Sequence, residues 1–173
     1  MQEEKIIMRA LEPEDAEKIY EWENDSEQWN NGVNTRFFSL VGIKEYIFNQ
    51  QNDDIFSSCQ TRNIIELQND TKKEIIGCVD LYDIDAKNSK AGIGIYIQKE
   101  KRGQGYAKKS ISLLEQYASN TLCLYQLYAF VSENNVVSQS LFASLGYNKT
   151  VELKDWVRIG KKFENVIVYQ KIL

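Results

Sequence analysis

A run of β-forming residues, Lys90 to Gln98, ends in Lys99-Glu100-Lys101-Arg102-Gly103-Gln104-Gly105 and passes directly into a helical pattern. Four of the nine glycines fall between Gly92 and Gly105. In the helix, Ala107, Ile111, Leu114 and Tyr117 or Ala118 recur at close to the 3.6-residue period. A strand, a glycine turn and an amphipathic helix, in that order, require a sheet with a helix packed across it. Glycines in such a turn adopt positive φ and let another molecule approach the backbone. The amides of the first helical turn lack acceptors, point outward together and carry the positive end of the dipole. Arg102 and Lys101 add full charges, so the turn suits a pyrophosphate.

The rest of the chain supplies the sheet. Lys5 to Met8 reads as a first strand. Glu12-Pro13-Glu14-Asp15 starts a helix, with proline in its first turn and acids at its positive end. Ala16, Ile19 and Tyr20 form that helix's apolar stripe. Asn30 to Thr35 is rich in turn residues. A second helix is expected over about Leu40 to Gln50, with Val41, Tyr46, Ile47 and Phe48 as core contacts. Asn63–Leu67 and Glu74–Tyr82 are strands joined through a hairpin at Gln68-Asn69-Asp70-Thr71-Lys72. Gln126–Val131 is another. Asn134 or Asn135 caps a helix carrying Val137, Leu141, Phe142 and Leu145, which Gly146 ends. Strands at about Lys149–Val157 and Phe163–Ile172 flank a turn at Gly160. The order βααβββαβαββ predicts an α/β (α+β) fold: a mixed sheet of about seven strands with helices on its faces.

The length of 173 residues suits one domain, residues 1–173, and neither a linker nor a repeat divides it. No apolar run approaches the ~20 residues that span a bilayer, and MQEEKIIMRA lacks the pattern of a secretory signal, so no membrane partner is expected. A net charge of −4 disfavours nucleic acid as a partner. The chain has no histidine, which excludes Ser-His-Asp and Cys-His catalysis and every His-ligated metal site. Cys59, Cys78 and Cys123 are too scattered for a metal cluster or disulfide framework, so no metal is expected. They read as small core residues in a reducing, cytoplasmic compartment.

Among phosphate-binding patterns, GxxxxGK[ST] is absent, and GxGxxG fails because Lys108 stands where its third glycine belongs. The pattern [Gln/Arg]-x-x-Gly-x-[Gly/Ala] fits Arg102-Gly103-Gln104-Gly105-Tyr106-Ala107. Ser132-Glu133-Asn134-Asn135-Val136-Val137-Ser138, leading to Leu145-Gly146-Tyr147, lies a suitable distance downstream. With the element order, these motifs make nearly the whole chain resemble the GCN5-related N-acetyltransferase (GNAT) superfamily. Tyr20-Glu21-Trp22-Glu23-Asn24-Asp25 resembles its branch of ribosomal-protein and spermidine N-acetyltransferases.

The resemblance implies acetyl-CoA as co-substrate. Its pyrophosphate would sit on the amides of Arg102, Gly103, Gln104, Gly105, Tyr106 and Ala107. Its pantetheine would pair with the fourth strand near Ile95, Tyr96 and Ile97, where strands four and five splay apart. Asn135 would fix the pantetheine, cap its helix, or do both. Gly92 and Gly94 mark the expected strand irregularity, and an amide in the splay would steady the thioester oxygen. The reaction implied is direct attack of a primary amine, and a homodimer is a further implication.

Two positions depart from the family pattern. The tyrosine that supplies a proton to the thiolate in many relatives corresponds here to Phe142. The fourth-strand Ala-Glu pair reads Ala91-Gly92. Catalysis therefore rests on other groups, or the chain binds acetyl-CoA without turnover. Asp80, within an apolar strand, is the leading polar candidate, either holding an ammonium or relaying its proton, or else facing solvent. Tyr96 is a second acid candidate or a core aromatic. Glu21, Glu23, Asp25 and Glu27 either attract a cationic amine or form a solvated helix face. Trp22, Trp29, Phe37 and Phe38 either line an acceptor pocket or fill the core. A small amine, polyamines first, is the expected acceptor, with a protein N-terminal amine as the alternative.

Overall fold

The computed structural model describes residues 4–25, 37–69 and 72–173. Its elements run β1 (Lys5–Ala10), α1 (Ala16–Glu23), α2 (Leu40–Asn52), α3 (Ile55–Ser58), β2 (Thr61–Gln68), β3 (Lys73–Asp85), β4 (Lys90–Ile97), α4 (Tyr106–Asn120), β5 (Gln126–Ser132), α5 (Val136–Ser144), β6 (Asn148–Ile159) and β7 (Lys162–Ile172). Glu27, Trp29, the expected turn at Asn30 to Thr35, and Asp70 and Thr71 of the expected hairpin lie outside the described residues.

The strands form one sheet in the order β1-β2-β3-β4-β5-β7-β6. All neighbours are antiparallel except β4 and β5. A parallel pair needs a long crossover, and α4 supplies it. One core layer joins the sheet to α4 and α5 through Ile93, Ile97, Ile111, Leu114, Ala118, Leu127 and Phe142. The other joins Ile64 and Cys78 to Ala16, Ile19 and Trp22 of α1 and Ile43 and Ile47 of α2. Helices therefore cover both faces.

Several helix faces differ from expectation. In α1 the buried set is Ala16, Ile19 and Trp22, while Tyr20 points outward. In α2 only Ile43 and Ile47 are buried; Val41 and Phe48 are 67% and 65% exposed. Both helices pack by one narrow stripe, so apolar residues one position off that stripe face water. Val137 is exposed for the same reason. The short α3 was not anticipated; Asp54 caps it by accepting from the amides of Phe56 and Ser57. Cys78 is buried, but Cys59 and Cys123 are exposed, which corrects the core reading for two of the three. Both occupy turns with positive φ, 55° and 54°.

Polar side chains tie the layers together. Arg9 on β1 grips both carboxylate oxygens of the buried Asp15 at 2.7 and 2.9 Å, and its Nε reaches Glu66 on β2 at 3.2 Å. At the end of α1, the Asn24 amide group donates to the carbonyls of Tyr20 and Phe38 and accepts from the Phe38 amide at 2.9 Å. Residue 24 thereby pins the start of α2's approach to the end of α1.

Candidate active site

The β4–β5 pairing is short. It joins Lys90, Ala91 and Gly92 to Gln126, Leu127 and Tyr128 and then stops. β4 continues to Ile97 and β5 to Ser132, so the two strands splay as expected. The bulge beside this splay lies on β3, where two residues stand opposite Ala91 and Asp83 takes φ 49°. Gly92 marks the irregularity as expected, being the last β4 residue paired with β5 and the edge of the bulge, whereas Gly94 stays in register opposite Asp80.

The exposed edge of β4 is defined by alternation. The Gln98 amide binds Ile76 on β3, so the amides and carbonyls of Ile93, Ile95 and Ile97 turn the other way, into the splay. Arg102 Nε donates to the Ile97 carbonyl at 2.8 Å, consistent with that direction. Tyr96 differs from its neighbours. Its carbonyl points at β3, since a Cβ on Gly77 would collide with that oxygen. Its ring lies between Trp22 at 5.1 Å and the Arg102 guanidinium at 5.9 Å. Ile95 and Ile97, but not Tyr96, present backbone groups to anything lying in the splay.

At the far end of β4, a 3-10 turn (Lys99–Lys101) leads to Gly103 at φ 74° and Gly105 at φ 80°, the N-cap of α4. These dihedrals suit glycine and strain other residues. Among the described residues, the amides of Gly103, Gln104, Gly105, Tyr106, Ala107 and Lys108 meet no acceptor. A Cβ on either glycine would find nothing within 4 Å, so the approach is open. The cationic side chains are committed elsewhere. Lys101 pairs with Glu74 at 2.8 Å and Arg102 binds the Ile97 carbonyl. The Tyr106 hydroxyl donates to Glu4, and the Gln104 side chain to the Glu100 carbonyl. The anion-binding capacity therefore resides in the backbone and the helix terminus. Asn135 caps α5 by accepting from the Ser138 amide at 3.0 Å, which leaves its side-chain NH₂ group free of that duty.

The opposite mouth of the splay faces the α1–α2 side of the sheet. Gly92 and Gly94 form its floor. Asp80 and Tyr82 on β3 flank them on one side. Tyr128 and Phe130 on β5 stand on the other, 5.4 Å apart and edge to face. Asp80 is neither free nor solvent-facing: its two oxygens accept from Arg62 Nε and a terminal nitrogen at 2.9 and 2.8 Å. The other terminal nitrogen of Arg62 binds Glu23. Two carboxylates thus share one guanidinium, whose pKa their charges raise despite its burial. Arg62 carried no signal at the sequence level, because one arginine on a strand has no periodic partner. Gln50 completes the setting by bonding both backbone groups of Arg62 and accepting from the Tyr46 hydroxyl. Glu21 instead pairs with Lys18 on the outside of α1. Phe38 packs against the α1–α2 core, while Phe37 is exposed.

Phe142 is buried, 3% exposed, with its ring 5.1 Å from Tyr147 and 6.3 Å from Tyr169. It has no proton to give. Two shallow hollows on the outer face of α2, around Lys44 and Phe48, lie apart from the splay.

A sheet opened beyond one short parallel pair, with a glycine-built anion cradle at its end, is the arrangement that the resemblance to acetyl-CoA-dependent acyltransferases implies. Residues 5–148 match the family model described as the acetyltransferase (GNAT) domain, and the chain belongs to that family. It is an N-acetyltransferase-type enzyme with acetyl-CoA as donor. An N-acetyltransferase of uncharacterised specificity, p20 of Bacillus licheniformis, is 25% identical over 96% of this chain and 92% of its own. The spermidine N(1)-acetyltransferase of Vibrio cholerae is 24% identical over 94% of this chain and 90% of its own. A crystal structure of the spermidine N-acetyltransferase from Vibrio cholerae with CoA and spermine superposes with a TM-score of 0.85. It is 23% identical, covering 96% of this chain and 95% of that one.

Proposed function

We propose that this protein, as a single domain over residues 1–173, acetylates a primary amine of a linear polyamine by direct attack on acetyl-CoA. The observation that carries the reading is the two-sided splay. One mouth offers free amides from Gly103 to Lys108, and the other offers acids and aromatic rings. The similarity to a spermidine enzyme supports the same acceptor class.

In this reading, the amides of the glycine turn and first turn of α4 hold the pyrophosphate. The inward edges of Ile95 and Ile97 pair with the pantetheine amides, and the Asn135 side chain donates to the same arm. An amide at Ile93 or Ile95 steadies the thioester oxygen as charge develops. Bound acetyl-CoA supplies an activated acyl carbon with a thiolate leaving group. Much of the acceleration then comes from holding amine and carbonyl together. Glu23 and Asp80 bring carboxylates to this mouth, which favours a cationic amine over a neutral or anionic acceptor.

The test is free-thiol release from acetyl-CoA over a panel of spermidine, spermine, aminoglycosides, amino acids and N-terminal peptides. Release with the polyamines is expected. Release only with peptides moves the acceptor to a protein N-terminus. Tight acetyl-CoA binding with no release across the panel overturns the polyamine reading. Light scattering on the purified chain tests the homodimer.

A further inference from the structure

We propose that Tyr82 orients the attacking amine at the vertex of the splay. This rests on the acyl-transfer reading above.

Tyr82, Gly92 and Tyr128 stand side by side across β3, β4 and β5, and theirs is the last row before β4 and β5 part. The Tyr82 ring lies over Gly92. A Cβ there would fall well inside contact with Cε2, Cζ and Cδ2 of that ring. Cζ, the carbon bearing the hydroxyl, is among those nearest atoms. The missing β4 side chain is therefore what makes room for the phenol, so the glycine and the tyrosine work as one device. Tyr128 meets the Tyr82 ring edge-on at 6.1 Å and 86°, fixing its plane. Burial holds the hydroxyl well above the usual phenol range, and nearby Tyr128, Asp83 and Asp80 add to this. With Cζ over Gly92, the hydroxyl it bears is carried from β3 toward the row where β4 and β5 part, on the face where Asp80 stands.

A neutral phenol in this place has one fitting task. The amine nitrogen forms its bond to the thioester carbonyl carbon with its lone pair. The C–S bond breaks and its electrons leave on sulfur. The nitrogen's surplus proton passes to water, and the thiolate takes one from water. Tyr82 keeps its own proton throughout. Its oxygen accepts an N–H bond from the neutral amine and so turns the lone pair toward the carbonyl.

Two measurements test this. In the first, Tyr82→Phe keeps the ring and removes the oxygen. With the amine that wild type acetylates, kcat/KM is expected to fall about tenfold, while acetyl-CoA affinity, Tm and the shape of the pH profile stay as in wild type. Wild-type kcat/KM in this variant overturns the proposal. The second uses protein labelled with 13C at tyrosine Cζ, with the Tyr82 signal assigned by its loss in Tyr82→Phe. Acetyl-CoA is expected to shift that signal more than CoA does, and equal shifts overturn the proposal. This measurement needs no acceptor, so an absence of polyamine turnover defeats the functional reading and still leaves the place of Tyr82 measured.

Discussion

Asp80 and Arg62 face each other through two parallel hydrogen bonds, at 2.9 and 2.8 Å, in a bidentate pair on the α1–α2 face of the sheet. Glu23 closes on the same guanidinium from α1. Replacing the cation leaves two carboxylates confronting each other. Arg62→Met is therefore expected to cost about 1.5–3 kcal/mol, the range for hydrogen bonds to charged groups in a partly buried pair. Asp80→Asn, which leaves Glu23 to balance the arginine, is expected to cost less. Urea denaturation of the two variants checks the order; equal losses would show that Glu23 contributes nothing.

The strand glycines predict opposite outcomes for one substitution. A Cβ on Gly77 would strike the Tyr96 carbonyl, a backbone atom that cannot step aside without breaking the β3–β4 ladder. A Cβ on Gly94 would sit at 3.6 Å from the Asp80 Cβ, an ordinary contact. Gly77→Ala is expected to destabilise by about 1–3 kcal/mol or more. Gly94→Ala is expected to fold like wild type and to raise KM for the amine by narrowing the floor of the groove. Thermal melts and steady-state kinetics on both variants read the contrast.

Gly105 has open space around it but takes φ 80°. In Gly105→Val the penalty is backbone strain of about 1–2 kcal/mol, and the new side chain stands where the pyrophosphate approaches. Acetyl-CoA affinity measured by calorimetry is expected to fall at least about tenfold. An unchanged Kd would remove the turn from the donor site.

The buried hydroxyls predict weakness in alkali. Burial, the largest effect, pushes Tyr46 up to about 12; Asp80, Cys78 and Glu23 add to the rise, and Arg62 opposes it. Burial likewise holds Tyr82, Tyr147 and Cys78 above their ordinary ranges. Unfolded tyrosine ionises near pH ~10 and cysteine near ~8.5. Above those values the native state keeps protons that the unfolded chain loses. The stability these groups confer is complete below about pH 8.5 and declines as pH rises toward 12, by about 1.4 kcal/mol per pH unit for each group. Denaturation between pH 8 and 11.5 should show this slope, and Tyr46→Phe should lessen it by about one group's share.

The glycine turn was legible because its chemistry is local: dihedrals, amides and a helix start all follow from six neighbouring residues. The succession of strands and helices along the chain, and a cap at Asn134 or Asn135, were legible for the same reason. The partners of Asp80 were not, because Glu23 and Arg62 lie 57 and 18 positions away along the chain and meet it only once the sheet is assembled. The role of Gly92 was legible only in part, for a related reason. Alone it suggests a bulge, whereas in the sheet it makes room for a ring from the next strand. Val41 and Phe48 show the limit of reading apolar character as burial, since α2 meets the sheet only along Ile43 and Ile47.

Asn24 has one further consequence. By joining the end of α1 to Phe38, it brings the exit and re-entry of the intervening chain to a single fixed gate. Lengthening a segment held at both ends costs little, about 0.6 kcal/mol for each doubling. The seven strands beneath these anchors are thereby insulated from changes in the length of chain that joins them.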